Sequence, residues 1–269
     1  MYELEYVRKR KRRRRVAIIG GVSAVVVTSL AIVSFLGRFV GTFTVSLETR
    51  NVDLTLSERP DFADYSSFLR VKELPPFQEF TYSNFSKYDD VIDSGESSYL
   101  LGANYAIGNN QEVESLQFFK YTFFIRNVGS TPAKYDLSLN IKEEVKSTDG
   151  RSLLDTMRVM IYKDGEKTVF AKRSSKPHIN EEGEADYRSP ISIDEADATE
   201  HYPFMGYAEM FKSDGVVTTY TSEEINIDEI QRFTIVTWLE GFRSSSDKEA
   251  PKGATIKLGV EINAYDESQ

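Results

Sequence analysis

Hydrophobic and polar residues alternate with a period of two in several segments of the chain. In residues 135–141 a Tyr, two Leu and an Ile alternate with Asp, Ser and Asn, and residues 256–262 alternate Ile, Leu, Val and Ile with Lys, Gly and Glu. A period of two is typical of a strand with one face buried and the other in water. Both segments are therefore predicted to be strands that border a core.

Two other segments are apolar at nearly every position. Residues 116–126 read LQFFKYTFFIR, and residues 232–239 read RFTIVTWL. Runs of this kind are typical of strands that are buried on both faces. We expect these two strands at the centre of the fold. Trp238 lies on the second of them and is expected to be a buried core residue, with a ligand platform as the alternative.

Turn signals separate the predicted strands. Residues 127–132 contain Gly129, which can take positive φ, and Pro132, which cannot continue a ladder of hydrogen bonds; they predict a hairpin or a corner. Asp164 and Gly165 form a dipeptide that favours a tight hairpin between two β-rich runs.

The remaining short elements complete a mainly β fold. Residues 41–47 and 52–57 predict an early pair of strands, while residues 152–157 and 227–231 predict helical turns. Short strands separated by turns are typical of an antiparallel β-sandwich with an immunoglobulin-like or jelly-roll outline. A chain of 269 residues has room for this one domain and for long insertions.

Two stretches, residues 60–111 and 174–203, do not follow the strand pattern and predict long insertions. Long irregular insertions are usually functional or mobile. The first contains Tyr and Phe among polar residues, a composition found at recognition surfaces, although the same rings could instead cap one end of the sandwich. The candidates for the recognition surface are Phe77, Phe80, Tyr82, Phe85 and Tyr88.

Residues 16–37 form a run of 22 residues without a charged side chain. A helix of that length, at about 1.5 Å per residue, crosses the roughly 30 Å hydrocarbon core of a bilayer. We therefore predict one transmembrane helix over residues 16–40, between a cytoplasmic tip of residues 1–15 and an extracytoplasmic domain of residues 41–269. A cleaved signal peptide is the alternative, but such peptides have shorter apolar regions.

Basic residues stand immediately before this run. The positive-inside rule places them in the cytoplasm, where they are predicted to bind anionic lipid headgroups. The first fifteen residues carry a net +6 and Arg38 adds +1, so residues 39–269 carry −16 within a chain whose net charge is −9. A domain of that charge repels phosphates, which excludes a nucleic-acid partner. The predicted lipid-binding residues are Arg8, Lys9, Arg10, Lys11, Arg12, Arg13, Arg14 and Arg15.

The sequence offers little for catalysis, and we expect no enzyme activity and no cofactor. The absence of cysteine excludes disulfides and thiol chemistry, and the two histidines, His178 and His201, do not stand in an H-E-x-x-H pattern. Clustered carboxylates are candidate calcium ligands, but they lack the spacing of a calcium loop and are also explained as solvated surface. They are Asp194, Glu195, Asp197 and Glu200, with a smaller group of Asp89, Asp90 and Asp93.

Several segments resemble the TasA and camelysin family of extracytoplasmic β-sandwich proteins from Gram-positive bacteria. They read GTFTVSL with NVDLTLS, FFIRNVGSTPAKYDLSLNI, LLDTMRVMIYKDGE, and FTIVTWLEG followed by ATIKLGVEINAYD. The resemblance implies a protein of the biofilm matrix or cell surface that contacts matrix, wall or protein partners. A camelysin-like metal-dependent peptidase and a scaffold subunit of a membrane machine are the alternatives. Family members normally have a cleaved signal, so the predicted anchor puts fibre assembly in doubt, and we expect the detached domain to be monomeric.

Overall fold

The computed structural model describes residues 42–71, 79–80, 82, 100–101, 118–163, 166–192, 206–241, 251 and 253–266. This part of the chain is mainly β, which confirms the predicted class. Its strands are β1 (Phe43–Arg50), β2 (Leu54–Ser57), β3 (Phe68–Val71), β4 (Glu79–Phe80), β5 (Leu100–Leu101), β6 (Phe118–Asn127), β7 (Lys134–Val145), β8 (Met157–Lys163), β9 (Glu166–Ala171), β10 (His178–Ile179), β11 (Ala185–Asp186), β12 (Glu209–Met210), β13 (Val216–Thr221), β14 (Ile230–Glu240) and β15 (Thr255–Tyr265).

The longer strands form two main sheets. The first has the strand order β13-β7-β15-β1-β3, and the second has the order β12-β9-β8-β14-β6-β2. In the second sheet β4 also pairs with β14, and β5 pairs with β6. The short strands β10 and β11 form a separate two-stranded hairpin.

The facing sides of the two sheets share one hydrophobic core. Phe43 of β1 contacts Phe119 and Tyr121 of β6, with ring centroids 5.3 and 5.0 Å apart. In β7 the alternation follows the prediction, because Leu137 is 2% exposed while Asp136 faces solvent. Burial of apolar side chains from both sheets in one cluster is the main contribution to stability that this arrangement provides.

The opposite face of the second sheet is also buried. Phe118, Met160, Val236 and Trp238 form a second hydrophobic cluster there. The central strands β6 and β14 are thus buried on both faces, as predicted for residues 116–126 and 232–239. Tyr82, from the first predicted insertion, belongs to the same cluster, so at least part of that insertion covers the sheet.

Strand pairing is mixed rather than wholly antiparallel. β1 runs parallel to β15 over eight residue pairs, from Phe43 opposite Leu258 to Arg50 opposite Tyr265. β12 with β9 and β14 with β4 are parallel as well. The predicted early strand pair is wrong as a pair: β1 lies between β15 and β3 in the first sheet, and β2 pairs with β6 in the second. Asn51, at a φ of 57°, lies in the short crossing between the sheets.

Residues 127–132 form a corner between the sheets. The Asn127 amide nitrogen donates to the carbonyls of Thr131 (2.9 Å) and Ile225 (3.0 Å), and its Oδ1 accepts from the Gly129 N–H (2.9 Å). Gly129 does not use the positive φ that a glycine can adopt. A Cβ at Gly129 would lie 3.1 Å from Asn127 Oδ1, so the close approach of this side chain explains why a glycine fits there.

The other predicted turns are partly confirmed. β8 and β9 form the hairpin around residues 164–165, with Lys163 opposite Glu166. Residues 152–157 contain a 3-10 turn, Leu153–Asp155, in which the Ser152 hydroxyl oxygen accepts a hydrogen bond from the Leu154 N–H. Residues 227–231 are not a helical turn throughout, because β14 begins at Ile230 and continues the ladder with β6.

The predicted transmembrane helix, residues 16–40, lies outside the described residues. Within the ranges that the structure describes, no helix combines the length and the apolar character needed to cross a bilayer. The cytoplasmic tip of residues 1–15 and its lipid-binding cluster also lie outside these ranges. The membrane anchor therefore stays a prediction from the sequence.

Candidate functional site

The predicted recognition surface is only partly within the described residues. Tyr82 is 4% exposed, and its ring stacks on Trp238 with centroids 5.6 Å apart and an interplanar angle of 25°. This ring packs in the interior, on the outer face of the second sheet, and is not available to a partner, so Tyr82 is not part of an exposed recognition surface. The backbone of Phe80 pairs with β14. Phe77, Phe85 and Tyr88 lie outside the described residues.

The candidate calcium ligands also lie outside the described residues. They are Asp194, Glu195, Asp197 and Glu200, together with Asp89, Asp90 and Asp93. Elsewhere, over the described ranges, no three His, Asp or Glu side chains come together in a group that could hold a metal ion. Calcium binding therefore stays a prediction.

A buried carboxylate connects the sheet to both insertions. Glu240, which is fully buried, follows Trp238 on the same face of β14. Its Oε2 accepts hydrogen bonds from Trp238 Nε1 (2.7 Å) and from the Tyr82 backbone N–H (3.0 Å), and its Oε1 accepts from Ser192 Oγ (3.1 Å). Buried charged groups need such partners to offset the loss of hydration. This carboxylate therefore holds one point of each insertion, at Tyr82 and at Ser192, on the sheet.

Arg158 reinforces the same layer. It lies opposite Trp238 in the pairing of β8 with β14 and is 2% exposed. Its Nε and Nη2 atoms donate to the Pro190 carbonyl at 3.0 and 2.9 Å, and Nη1 donates to the Met157 carbonyl at 3.1 Å. Satisfying backbone carbonyls with a buried guanidinium holds the segment before Ser192 against the sheet.

His178, the one histidine within the described residues, lies in a small polar cluster on β10. Its ring stacks on Tyr207 with centroids 3.7 Å apart, and its Nε2 lies 3.4 Å from Asp186 Oδ2. Arg188 hydrogen-bonds the same carboxylate at 2.7 Å and holds the Asp186 pKa below its ordinary value. This arrangement orients the imidazole within the second insertion and does not bring it to a nucleophile among the described residues.

A cleft of about 540 Å³ lies between the segment after β9 and the turn before β13. We call it the Arg173 cleft. The Arg173 guanidinium carbon lies 3.9 Å from the centroid of the Tyr187 ring. The neighbouring Lys172 ammonium binds Asp155 Oδ1 at 2.8 Å, and this hydrogen bond raises the Lys172 pKa, so that the side chain stays charged at neutral pH. The lining residues are Lys172, Arg173, Ser174, Ser175, Tyr187, Phe211, Ser213 and Asp214.

Sequence reasoning missed the Arg173 cleft. The signal that could have indicated it is the run KRSSK at residues 172–176, which places three cations next to an insertion with eight acidic residues between Glu181 and Glu200. Residues 187, 211 and 214, which complete the cleft, are separate in sequence. The pairing of β9 with β12 brings residues 211 and 214 next to residues 172–175, and the Ser174 N–H, which donates to the Tyr187 carbonyl at 2.9 Å, brings residue 187 there.

Comparison with family models, with curated protein sequences and with solved structures found no match to the chain. The resemblance to TasA and camelysin therefore stays a prediction that rests on the quoted segments. The functional inference therefore depends on the side chains of the described residues. Their chemistry is concentrated in the buried layer around Glu240 and in the open Arg173 cleft.

Proposed function

We propose that this protein is a single-pass membrane protein that presents a non-enzymatic, immunoglobulin-like β-sandwich outside the cell membrane. Residues 41–269 would contact matrix, wall or a protein partner, and residues 1–40 would supply the tip and the anchor. Two sheets with one shared core, and a first strand that pairs in parallel with the last, support this outline.

The observation that carries the proposal is the position of β1. This strand begins at Phe43, six residues after the end of the uncharged run 16–37, and it lies between β15 and β3 rather than at an edge. Its Phe43 and Val45 side chains are 1% and 0% exposed in the core. Force applied through the anchor would therefore act on an interior strand that is hydrogen-bonded on both sides, which suits a domain tethered at a surface.

The register of β1 also orients the domain relative to the anchor. The start of β1 lies beside the start of β15 and, through it, near the end of β7, whereas residues 51–53 and the corner at 127–132 lie at the opposite end. That opposite end carries exposed apolar side chains on the corner, on the adjoining connection before β14 and on the first residue of β14. Val128 is 51% exposed, Ile227 is 49% exposed and Ile230 is 43% exposed. Exposed apolar groups far from the membrane support a contact role.

Epitope accessibility on cells tests the proposal. One epitope replaces residue 2, and another is inserted after Gly183, in the exposed turn between β10 and β11. Antibody added to intact spheroplasts should bind the second epitope and reach the first only after the membrane is permeabilised. Access to residue 2 from outside, or no access to the Gly183 epitope, would reject the topology.

Photocrosslinking tests the contact role. A photoreactive residue at position 227 should form covalent adducts with envelope polymer or protein on intact cells. The matched control places the same residue at Lys142, which is exposed on the first sheet away from the far end. Equal adduct formation at the two positions would show that the far end has no special role.

A further inference from the structure

We propose that the Arg173 cleft is a binding site for an acidic saccharide, that is, a sugar ring that carries a carboxylate or a phosphate. This inference rests on the proposed function, because a surface location is what would bring a matrix or wall glycan to the cleft. The lining of the cleft contains a cationic group, hydroxyls and aromatic rings that suit such a ligand.

Arg173 provides the anion-binding group. Stacking on Tyr187, at 3.9 Å, restrains the plane of the guanidinium. Within the part of the chain that the structure describes, Arg173 makes this ring contact and forms no ion pair with a carboxylate. A restrained guanidinium with unused N–H groups suits bidentate binding of a carboxylate or phosphate, because less side-chain entropy is lost on binding.

Other lining residues provide groups that suit sugar hydroxyls. The hydroxyls of Ser175 and Ser213 can donate and accept hydrogen bonds, and the Asp214 carboxylate can accept them. Phe211 and Tyr187 add apolar surface for the C–H face of a sugar ring. A volume of about 540 Å³ lies within the range of ordinary small-ligand sites.

The cleft places cationic side chains within a domain whose net charge is strongly negative. Residues 39–269 carry a net −16, so the domain as a whole repels anions. Lys172 and Arg173 counter this repulsion locally, although Asp155 is bound to Lys172 and Asp214 lies on the same lining. We therefore infer that binding depends on the placement of Arg173 rather than on a broad basic surface, and that salt weakens it.

Titration calorimetry of the full-length protein in nanodiscs of zwitterionic lipid tests the inference. The probes are trigalacturonate for the carboxylate, glucose 6-phosphate for the phosphate, and maltotriose as the neutral comparison. At least one acidic probe should bind about tenfold more tightly than maltotriose, as a charge-assisted bidentate contact predicts. The acidic probe that binds more tightly shows whether the cleft prefers a carboxylate or a phosphate.

Variants locate the binding. Arg173→Gln should weaken the acidic probe by about tenfold or more, and Arg173→Lys should recover only part of the affinity, since lysine lacks the planar fork. The matched control is Arg70→Gln, which removes an exposed arginine from β3 in the other sheet and should leave binding unchanged. An equal loss of affinity in Arg173→Gln and Arg70→Gln would show a general effect of charge and would overturn the assignment of the site to the Arg173 cleft.

Three further outcomes would overturn the ligand class. Equal affinity for maltotriose and the acidic probes, or no binding of any probe at millimolar concentration, would reject an acidic saccharide. Binding of pentaglutamate as tightly as the best acidic sugar would show that the cleft recognises acidic peptides instead. None of these outcomes changes the result of the epitope experiment, so a failure of this inference can be distinguished from a failure of the proposed function.

Discussion

Trp238 Nε1 donates a hydrogen bond of 2.7 Å to Glu240 Oε2, two residues further along β14, and both residues are fully buried. The pair lies on the face of the second sheet that points away from the shared core. The same carboxylate also accepts from the Tyr82 N–H and the Ser192 hydroxyl. One side chain therefore joins β14 to residues of both predicted insertions.

The first prediction follows from this network. Glu240→Ala removes the carboxylate that accepts hydrogen bonds from the Trp238 N–H and the Ser192 hydroxyl, and it opens a cavity, so we expect it to lower the free energy of unfolding by about 3 kcal/mol. Glu240→Gln keeps one acceptor oxygen and should lower it by less. Urea denaturation followed by the fluorescence of the single tryptophan measures both changes.

Glu261→Ala is the control for a glutamate in a different environment. Glu261 is exposed on β15 and forms an ion pair with Lys142. An exposed pair of this kind contributes about 0 to 1 kcal/mol. If Glu240→Ala were no more destabilising than Glu261→Ala, the carboxylate would not be the connection between the insertions and the sheet.

The second prediction concerns the alternation in β7. Leu137 is 2% exposed in the shared core, so Leu137→Ala should lower the free energy of unfolding by about 2 to 5 kcal/mol. Ser138, on the opposite face, donates a hydrogen bond to Asn140 on the same strand, and Ser138→Ala should change stability by less than about 1 kcal/mol. Equal effects in chemical denaturation would contradict the assignment of faces.

The strands were predictable because burial leaves a local signal in the sequence. Leu137 and Leu139 alternate with polar residues, and the runs around Phe123 and Ile235 are apolar on both sides because both faces of their sheet are buried. Strand neighbours leave no such signal. Residues 41–47 and 52–57 are close in sequence, yet they do not pair with each other. β1 pairs with β15, about 215 residues away in the first sheet, and β2 pairs with β6 in the second sheet.

The sites were less predictable because they depend on contacts between distant segments. Tyr82 has the composition of a recognition residue, but its burial on Trp238 depends on a contact between residues 156 positions apart. The Arg173 cleft likewise needs Tyr187 and Phe211 beside residues 172–175. The sequence shows where aromatic and charged residues occur, but the fold determines which of them are exposed to solvent.

The third prediction concerns pH. Hydrogen bonds from the Asn226 backbone, and then from the Asn226 and Gln231 side chains, hold the Glu229 pKa below its ordinary value. Because the folded pKa is lowered, the stabilisation is complete above the unfolded pKa and is lost as pH falls through the folded pKa. The difference in free energy of unfolding between the wild type and Glu229→Gln should therefore be constant above about pH 5 and become smaller below about pH 4.

Urea midpoints at intervals from pH 7 to pH 3 measure this difference. Glu223→Gln, a change at an exposed glutamate in the same connection between β13 and β14, is the control and should follow the wild-type curve. A difference between wild type and Glu229→Gln that grows as the pH falls would have the opposite sign and would contradict the hydrogen-bonded carboxylate.

The last prediction concerns whether β1 pairs within its own chain. Ser46 lies opposite Glu261 in the parallel register of β1 with β15, and its hydroxyl lies 3.4 Å from the Val260 carbonyl. The chain has no cysteine, so a Ser46→Cys/Glu261→Cys pair gives an unambiguous disulfide. Neighbouring strands bring Cα atoms within the range that a disulfide spans. We expect oxidation of fragment 41–269 to give intrachain crosslinks, with a monomeric mass in light scattering. A Ser46→Cys/Lys257→Cys pair, four residues out of register, should not crosslink. Interchain disulfides in the first pair, with dimers or larger assemblies, would show instead that β1 is donated to a neighbouring molecule.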